Sequence, residues 1–292
     1  MHLTVEDLFH PRMLLRASYL AASLLILLLH AVPALRTRFL PYGSRATVQD
    51  RKKEDEPGKS KETAPTVPSK PSFVLDVLDY AATLQVPHNY FAHFYMLSVA
   101  CSLYWGWRLR LWEASNQQQQ IVWTLMLLQG VRRLLESYAY TSSSKSTMWF
   151  AHWLLGLAFY LTINIAIWIE GPATHAYDWI LVPALLTAHV LQHSYHAYLY
   201  HLRTQANGYQ LPAHPLFPNL LCPHYTCEVA IYALLSVIAA PAHRYFNGTL
   251  LCATVFVATN LAVTALGTKQ WYMDRFGADK VALRKMMLPW VW

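Results

Sequence analysis

The sequence predicts an all-α fold: a polytopic membrane bundle of about seven transmembrane helices with a cytosolic carboxy-terminal cap. Three observations predict it. Of 292 residues, 55% are hydrophobic and only 13% charged, and the mean hydropathy is +0.21, a balance too apolar for an ordinary soluble domain. The apolar residues fall in runs near the roughly 20 residues that a helix needs to cross hydrocarbon. The basic residues gather in the segments between those runs.

The first run, Met13–Leu35, follows a segment containing Glu6 and Asp7 and no small-residue cleavage site, so it is expected to be a retained anchor rather than a signal peptide. Residues 1–40 are thus an amino-terminal transmembrane anchor. Residues 41–86 are a cytosolic linker, partly disordered, because Thr47–Ser72 mixes Lys, Glu, Asp, Pro and Ser and cannot bury apolar surface. Residues 87–292 form one membrane domain with spans at Tyr90–Leu111, Ile121–Leu135, Met148–Ile169, Trp179–Tyr200, Val229–Ala242 and Leu250–Leu266. The third and sixth spans of the chain, Ile121–Leu135 and Val229–Ala242, are short. A loop at His201–Pro223 is punctuated by Gly208, Pro212, Pro215 and Pro218, and the basic, aromatic stretch Thr268–Trp292 is expected to cap the bundle.

Charge sets the orientation. Nine basic residues (Arg36, Arg38, Arg45, Arg51, Lys52, Lys53, Lys59, Lys61, Lys70) lie between the first two spans, and five (Lys269, Arg275, Lys280, Arg284, Lys285) follow the last. Both segments are predicted to be cytosolic. The amino terminus and the Glu170–Asp178 loop, which has no Lys or Arg, are then lumenal, as is the sequon at Asn247. The net charge of +7 carries no nucleic-acid signal, since there is no basic helix and no aromatic-interleaved patch. Cys101, Cys222, Cys227 and Cys252 imply no disulfide framework.

Ionisable side chains within spans cost ~3 kcal/mol each on insertion scales and mark functional candidates. His189, His193, His196 and Tyr200 share one helical face, with Gln192 between them. Three readings are open: a histidine-box metal site resembling those of membrane di-iron desaturases and hydroxylases, hydrogen bonds to neighbouring helices, or the polar wall of a cofactor site. The metal reading suffers from histidines elsewhere being scattered singly or in loose pairs. In Gln129–Glu136, Arg133 and Glu136 are spaced i, i+3 and suit an ion pair, but Arg132 and Arg133 near a span's end also suit snorkelling to the interface. His224 and Glu228 lie one turn apart where a helix starting near Pro223 would open to the cytosol. Glu228 then serves a ligand hydroxyl or amide, or only the helix dipole.

These residues resemble a known family. Val86–Pro87, Tyr90–Phe91-x-His93–Phe94–Tyr95, Gln129–Gly130-x-Arg132–Arg133–Leu134-x-Glu136 and the ending Arg284–Lys285…Leu288–Pro289–Trp290–Val291–Trp292 are similar in order and spacing to the 3-oxo-5-alpha-steroid 4-dehydrogenase family, polyprenol reductase branch. The resemblance runs from roughly Pro87 to Trp292. It implies a seven-helix endoplasmic-reticulum membrane enzyme that takes NADPH from the cytosol and a polyprenyl lipid from the bilayer, with no metal. Carried onto this chain, it places the cofactor against Gln192, His196, Arg203, Tyr209, His224, Glu228, Tyr272 and Arg284, and Lys269 stands near where the family has a His. Steroid-reducing members hold the substrate carbonyl with a Glu and a Tyr at the positions of Phe94 and Gly130 here. This departure makes a 3-oxo-steroid the runner-up substrate.

Reducing a conjugated double bond requires a donor that stabilises the developing enolate oxygen. His93 is the expected catalytic donor, Tyr95 the second choice, with Arg133 and Glu136 orienting it. An allylic alcohol lacks the carbonyl that makes its alkene accept hydride, so the aldehyde is the expected substrate. A non-enzymatic lipid-binding membrane protein is the competing class, distinguished by the absence of any NADPH-dependent change in the lipid.

Overall fold

The computed structural model describes residues 9–41, 73–113, 116–140, 146–173, 178–205 and 209–289. The polar stretch Thr47–Ser72 and the terminal Trp290–Trp292 lie outside the described residues. The rest is nearly all helix: α1 Pro11–Ala31, α2 Pro33–Phe39, α3 Phe73–Thr83, α4 Phe91–Arg108, α5 Gln117–Ala139, α6 Phe150–Ala166, α7 Asp178–Gln205, α8 Pro223–Ile238, α9 Gly248–Phe276 and the single turn α10 Ala278–Val281. Two three-residue strands, β1 Gln85–Pro87 and β2 Thr147–Trp149, pair antiparallel with Val86 opposite Met148.

Each of the seven predicted apolar runs falls on one long helix, with shifted boundaries. Pro33, which has no backbone N–H to donate, splits the first run into α1 and α2. The short run Ile121–Leu135 is the apolar part of a 23-residue helix whose start is fixed by the Asn116 side chain accepting from Gln119 N. α8 starts six residues before its apolar run, with Pro223 in its first turn. α9 continues to Phe276, so the first part of the expected cap, Thr268–Phe276, extends that helix. Residues 73–86 of the expected linker form α3 and the first two residues of β1.

Successive long helices run in opposite directions, and their ends gather in two sets. At one end Gln118 donates to Ile238 O (2.8 Å), Asn116 to Ala173 O (2.9 Å) and Asn247 to Ala166 O (2.9 Å), while Arg16 reaches Glu170 (3.1 Å from Nε). At the other end the β1–β2 pair forms, Trp149 donates to Ala81 O (2.9 Å), and Leu221 N donates to Lys285 O (3.0 Å). Asn247 is fully buried, and its side-chain oxygen caps α9 while its amide nitrogen is already bonded. The sequon asparagine is therefore inaccessible in the folded chain.

The main core lies where α1, α5, α6, α7, α8 and α9 meet, around Ile163, Leu185, Ile231, Leu235 and Leu250. A second cluster, Leu221, Cys222, Val281, Met286 and Met287, seats the chain's last described turns against the start of α8. By length and composition alone, α1 and α9 pass as membrane-crossing helices, and α6 is a shorter apolar one. The others are less apolar because they carry polar residues inward: Gln129 and Glu136 on α5, and His189 and Gln192 on α7, are buried.

Candidate active site

The inward polar residues of α5, α7 and α8 form one network centred on two adjacent arginines. Arg132 donates to Glu136 Oε1 (2.5 Å), Gln129 Oε1 (2.8 Å) and His189 Nδ1 (2.9 Å), and also bonds Gln192. Arg133 donates to Glu136 Oε2 (2.5 Å) and to the Tyr95 hydroxyl on α4 (2.6 Å), and its Nη1 lies 2.9 Å from His196 Nδ1. Glu136 is further contacted by His193 Nδ1 (2.9 Å) and His196 Nδ1 (2.8 Å). Glu228, on the second turn of α8, accepts from Gln129 (2.9 Å) and from Gln192, whose amide also donates to His224 O (3.2 Å).

The arrangement is charge-balanced, with two guanidinium groups facing two carboxylates. Snorkelling, one of the two readings open for the arginines, is overturned: their side chains are only 14% and 19% exposed, and Glu136 is 3% exposed. Burial without Glu136 would leave both arginines uncompensated, which explains why they turn toward it. The i, i+3 pairing of Arg133 with Glu136 is observed, joined by an i, i+4 pair from Arg132.

Of the residues singled out in the sequence, Tyr95, Arg133, Glu136, Gln192, His196, His224 and Glu228 come together. His93 does not join them. Its ring lies against Tyr90 (4.4 Å between centroids) and Trp153 (6.1 Å). A second group sits beyond α7's end and along the last turns. There Tyr209 lies edge-on to Trp271 (5.0 Å) with the Arg275 guanidinium over its ring, Tyr272 packs against the cluster around Cys222, and Arg203 is exposed. Arg284 bonds Pro212 O, and Lys269 Nζ donates to Ala282 O (3.0 Å) and Arg284 O (2.8 Å), so this ammonium fastens the Arg284 turn. The neighbouring Lys285 ties that turn to Leu221, two residues before α8.

Gln129 and Arg132, which stand in the sequence motif without an expected site role, join the network, and the neighbouring Tyr160, with its ring 5.3 Å from that of Tyr95, carries no sequence signal. The Gln129–Gly130-x-Arg132 spacing was the available signal, since it sets Gln129 and Arg132 one turn apart.

The buried residues suit a polar ligand. Arg133 Nε, His189 Nε2 and His224 Nδ1 are buried without a hydrogen-bond partner, and buried polar atoms are rarely left so. His224 stacks on Tyr195 (5.1 Å) and meets His196 edge-on (5.3 Å). The same geometry opposes a metal, because His189 and His196 each lie 2.9 Å from an arginine nitrogen, so a cation there would face a guanidinium. Among the described residues no cluster of three or more His, Cys, Asp or Glu has metal-binding geometry.

Phe94 and Gly130, which the family resemblance sets against the Glu and Tyr of steroid-reducing members, are taken up by helix contacts. Phe94 is 3% exposed, with its ring over Gly156, where an added Cβ would lie 2.6 Å from Phe94 Cζ. Gly130 marks a close approach of α5 to α4, since a Cβ there would be 3.1 Å from Ser98 Oγ.

The inward ion network, with partnerless imidazoles beside it, is a buried polar site shared by α4, α5, α7 and α8. The chain belongs to the 3-oxo-5-alpha-steroid 4-dehydrogenase family, whose profile matches residues 144–292, and it is an oxidoreductase acting on a CH–CH group. Within that family it falls in the polyprenol reductase branch. It is similar to the polyprenal reductase of Saccharomyces cerevisiae, 31% identical over 221 residues, or 74% of this chain and 79% of that protein. It also resembles polyprenal reductase 1 of Arabidopsis thaliana (23% identical, 71% of this chain, 82% of that protein) and the polyprenal reductase of Xenopus tropicalis (24%, 57% and 59%).

Proposed function

We propose that this protein is an NADPH-dependent reductase of the endoplasmic-reticulum membrane that saturates the α-isoprene double bond of polyprenal. The observation that carries the reading is the Arg133–Tyr95 hydrogen bond within the Glu136–His196–Glu228 network. The relatives' names supply the substrate class, and the network supplies a donor suited to it. The product would serve as a precursor of dolichol and so support protein N-glycosylation, as the family resemblance implies.

Gln192, His196, His224 and Glu228 would hold the nicotinamide end, through the partnerless imidazole nitrogen of His224 and the carboxylate of Glu228. Tyr209, Tyr272, Arg203, Lys269 and Arg284 belong to the more distant part of the same site. When bound, NADPH supplies the hydride for the β-carbon.

The chain's own residues manage the charge on oxygen. Tyr95 accepts from Arg133 and has Tyr160 as a second hydrogen-bonding neighbour, and its own O–H would turn to the aldehyde oxygen when substrate binds. As the enolate forms, negative charge grows on that oxygen, and the Tyr95 O–H backed by a guanidinium stabilises it more than it stabilises the neutral carbonyl. Glu136 keeps Arg133 in place through a charge-assisted bond, and His196 completes the shell. This assigns the donor role to Tyr95 rather than His93, whose ring is held by aromatic neighbours outside the network.

The seven long helices, alternating in direction, are the transmembrane spans in this reading. The end carrying Arg36, Arg38, Arg275 and Lys285 is cytosolic, and the end carrying Arg16, Glu170 and Asn247 is lumenal. Transfer of deuterium from the nicotinamide of labelled NADPH to the β-carbon tests the chemistry. Label appearing on that carbon supports the proposal. Reduced lipid without label, or consumption of oxygen and sensitivity to metal chelation, would refute it.

A further inference from the structure

Helix α3, eleven residues long, has no buried residue. Phe73, Val77 and Tyr80 recur at spacings of four and three and fall on one face, and Leu84 follows just past the helix end. They are 78%, 47%, 70% and 45% exposed. The helix's contacts to the protein use another side: Leu78, Ala81 and Ala82 are half-buried, and Asp79 accepts from Arg38 Nε at 2.6 Å and Nη2 at 3.2 Å. Among the described residues, no contact explains this exposed apolar stripe.

The level at which α3 sits identifies what covers the stripe. It is bound to α2, which follows α1 after one residue, Val32. α1 is one of the two helices apolar and long enough to cross a bilayer, and its Leu20, Leu24 and Leu28 are exposed along its length. Phe39 at the end of α2 stacks on Trp149 (4.3 Å), and Trp149 donates to Ala81 O on α3. α3 therefore lies at the terminus of a bilayer-length helix, among the aromatic and arginine residues that favour the membrane–water boundary. The Asp79 charge, unfavourable near anionic headgroups, is offset by Arg38.

We infer that α3 is an interfacial helix whose Phe73–Val77–Tyr80 face, with Leu84 just beyond it, is embedded at the headgroup–acyl boundary of the cytosolic leaflet. The inference rests on the reading of the chain as a membrane-spanning protein, and one control separates the two. In the full-length protein, reconstituted in phosphatidylcholine vesicles with or without nitroxide-labelled lipid, a fluorophore is attached in turn at Val77→Cys, Tyr80→Cys, Leu24→Cys and, on the opposite side of α3, the exposed Leu75→Cys. The unsubstituted protein gives the background from native cysteines.

Quenching by shallow nitroxides several-fold stronger at positions 77 and 80 than at 75 is expected, with position 24 quenched by deep nitroxides. Equal quenching at 75, 77 and 80, with position 24 still quenched, overturns the interfacial helix and leaves the membrane reading standing. No quenching at any site overturns both. Protection of 77 and 80 only as the protein self-associates, without lipid quenching, would also overturn it by assigning the stripe to a second copy.

Discussion

The Tyr95 hydroxyl accepts a hydrogen bond from Arg133 Nη2 at 2.6 Å, joining α4 to α5, and the guanidinium carbon stands 4.8 Å from the Tyr95 ring centre. Removing only the hydroxyl keeps the ring contact and deletes the proposed donor. Tyr95→Phe is expected to lower kcat by roughly 10²-fold, the loss typical of one oxyanion donor, and to cost about 1–3 kcal/mol of stability because Arg133 Nη2 loses its buried acceptor. His93→Phe, whose ring contacts are aromatic, is expected to retain most of the wild-type kcat. Steady-state kinetics on both variants check this, and the opposite ranking would return the role to His93.

Glu136 is the shared acceptor of Arg132, Arg133, His193 and His196. Glu136→Ala strands two buried guanidinium groups and is expected to cost about 3–5 kcal/mol, the range for breaking a buried pair from one side. Glu136→Gln keeps two of the acceptor geometries in part and should cost less. Thermal unfolding of the detergent-solubilised protein measures the difference.

Glu228 touches Gln129 and Gln192 but neither arginine of the network directly. If it binds cofactor, Glu228→Ala raises KM for NADPH by about tenfold, or about 1.4 kcal/mol of binding, while KM for the lipid stays near wild type. An equal rise in both values would point to a general loss of structure instead.

Glu170 sits outside the helices and accepts from Arg16 and from the backbone and side chain of Thr249. Burial pushes its carboxyl up, but the Arg16 and Thr249 hydrogen bonds and the Arg16 charge together outweigh it and hold the group below the ordinary range. A folded value below the unfolded one means the contribution is complete above the unfolded carboxylate value and fades as pH falls through the folded one. Glu170→Gln is therefore expected to lower Tm at pH 7, with the gap to wild type closing on acidification.

Gly130 lies where α5 comes close to α4. Gly130→Tyr, which installs the residue of the steroid-reducing members, is expected to destabilise the protein by more than about 1–3 kcal/mol through overpacking against Ser98 and Val99, and not to confer 3-oxo-steroid reduction. Unfolding midpoint and a steroid assay test both parts.

Much of this was legible in the sequence because it depends on spacing. The apolar runs located all seven long helices, and the Pro223 start put His224 and Glu228 one turn apart. The i, i+3 relation of Arg133 to Glu136 was readable for the same reason. What spacing does not encode is which face meets which helix. Tyr95 and His93 are two residues apart on α4 and so point in different directions, and only the packing of α4 on α5 gives Tyr95 to Arg133 while His93 goes to Tyr90 and Trp153. Arg132 was hidden for a related reason: an arginine near a span's end looks alike whether it reaches outward or inward, and the carboxylate that draws it inward acts in three dimensions.

Offering the purified enzyme polyprenal, polyprenol and a 3-oxo-steroid separately with NADPH, and measuring saturated product against NADPH consumed, decides the reaction. One-to-one reduction of polyprenal and none of the other two is expected. Reduction of polyprenol with no aldehyde formed, or of the steroid in preference to polyprenal, would contradict it.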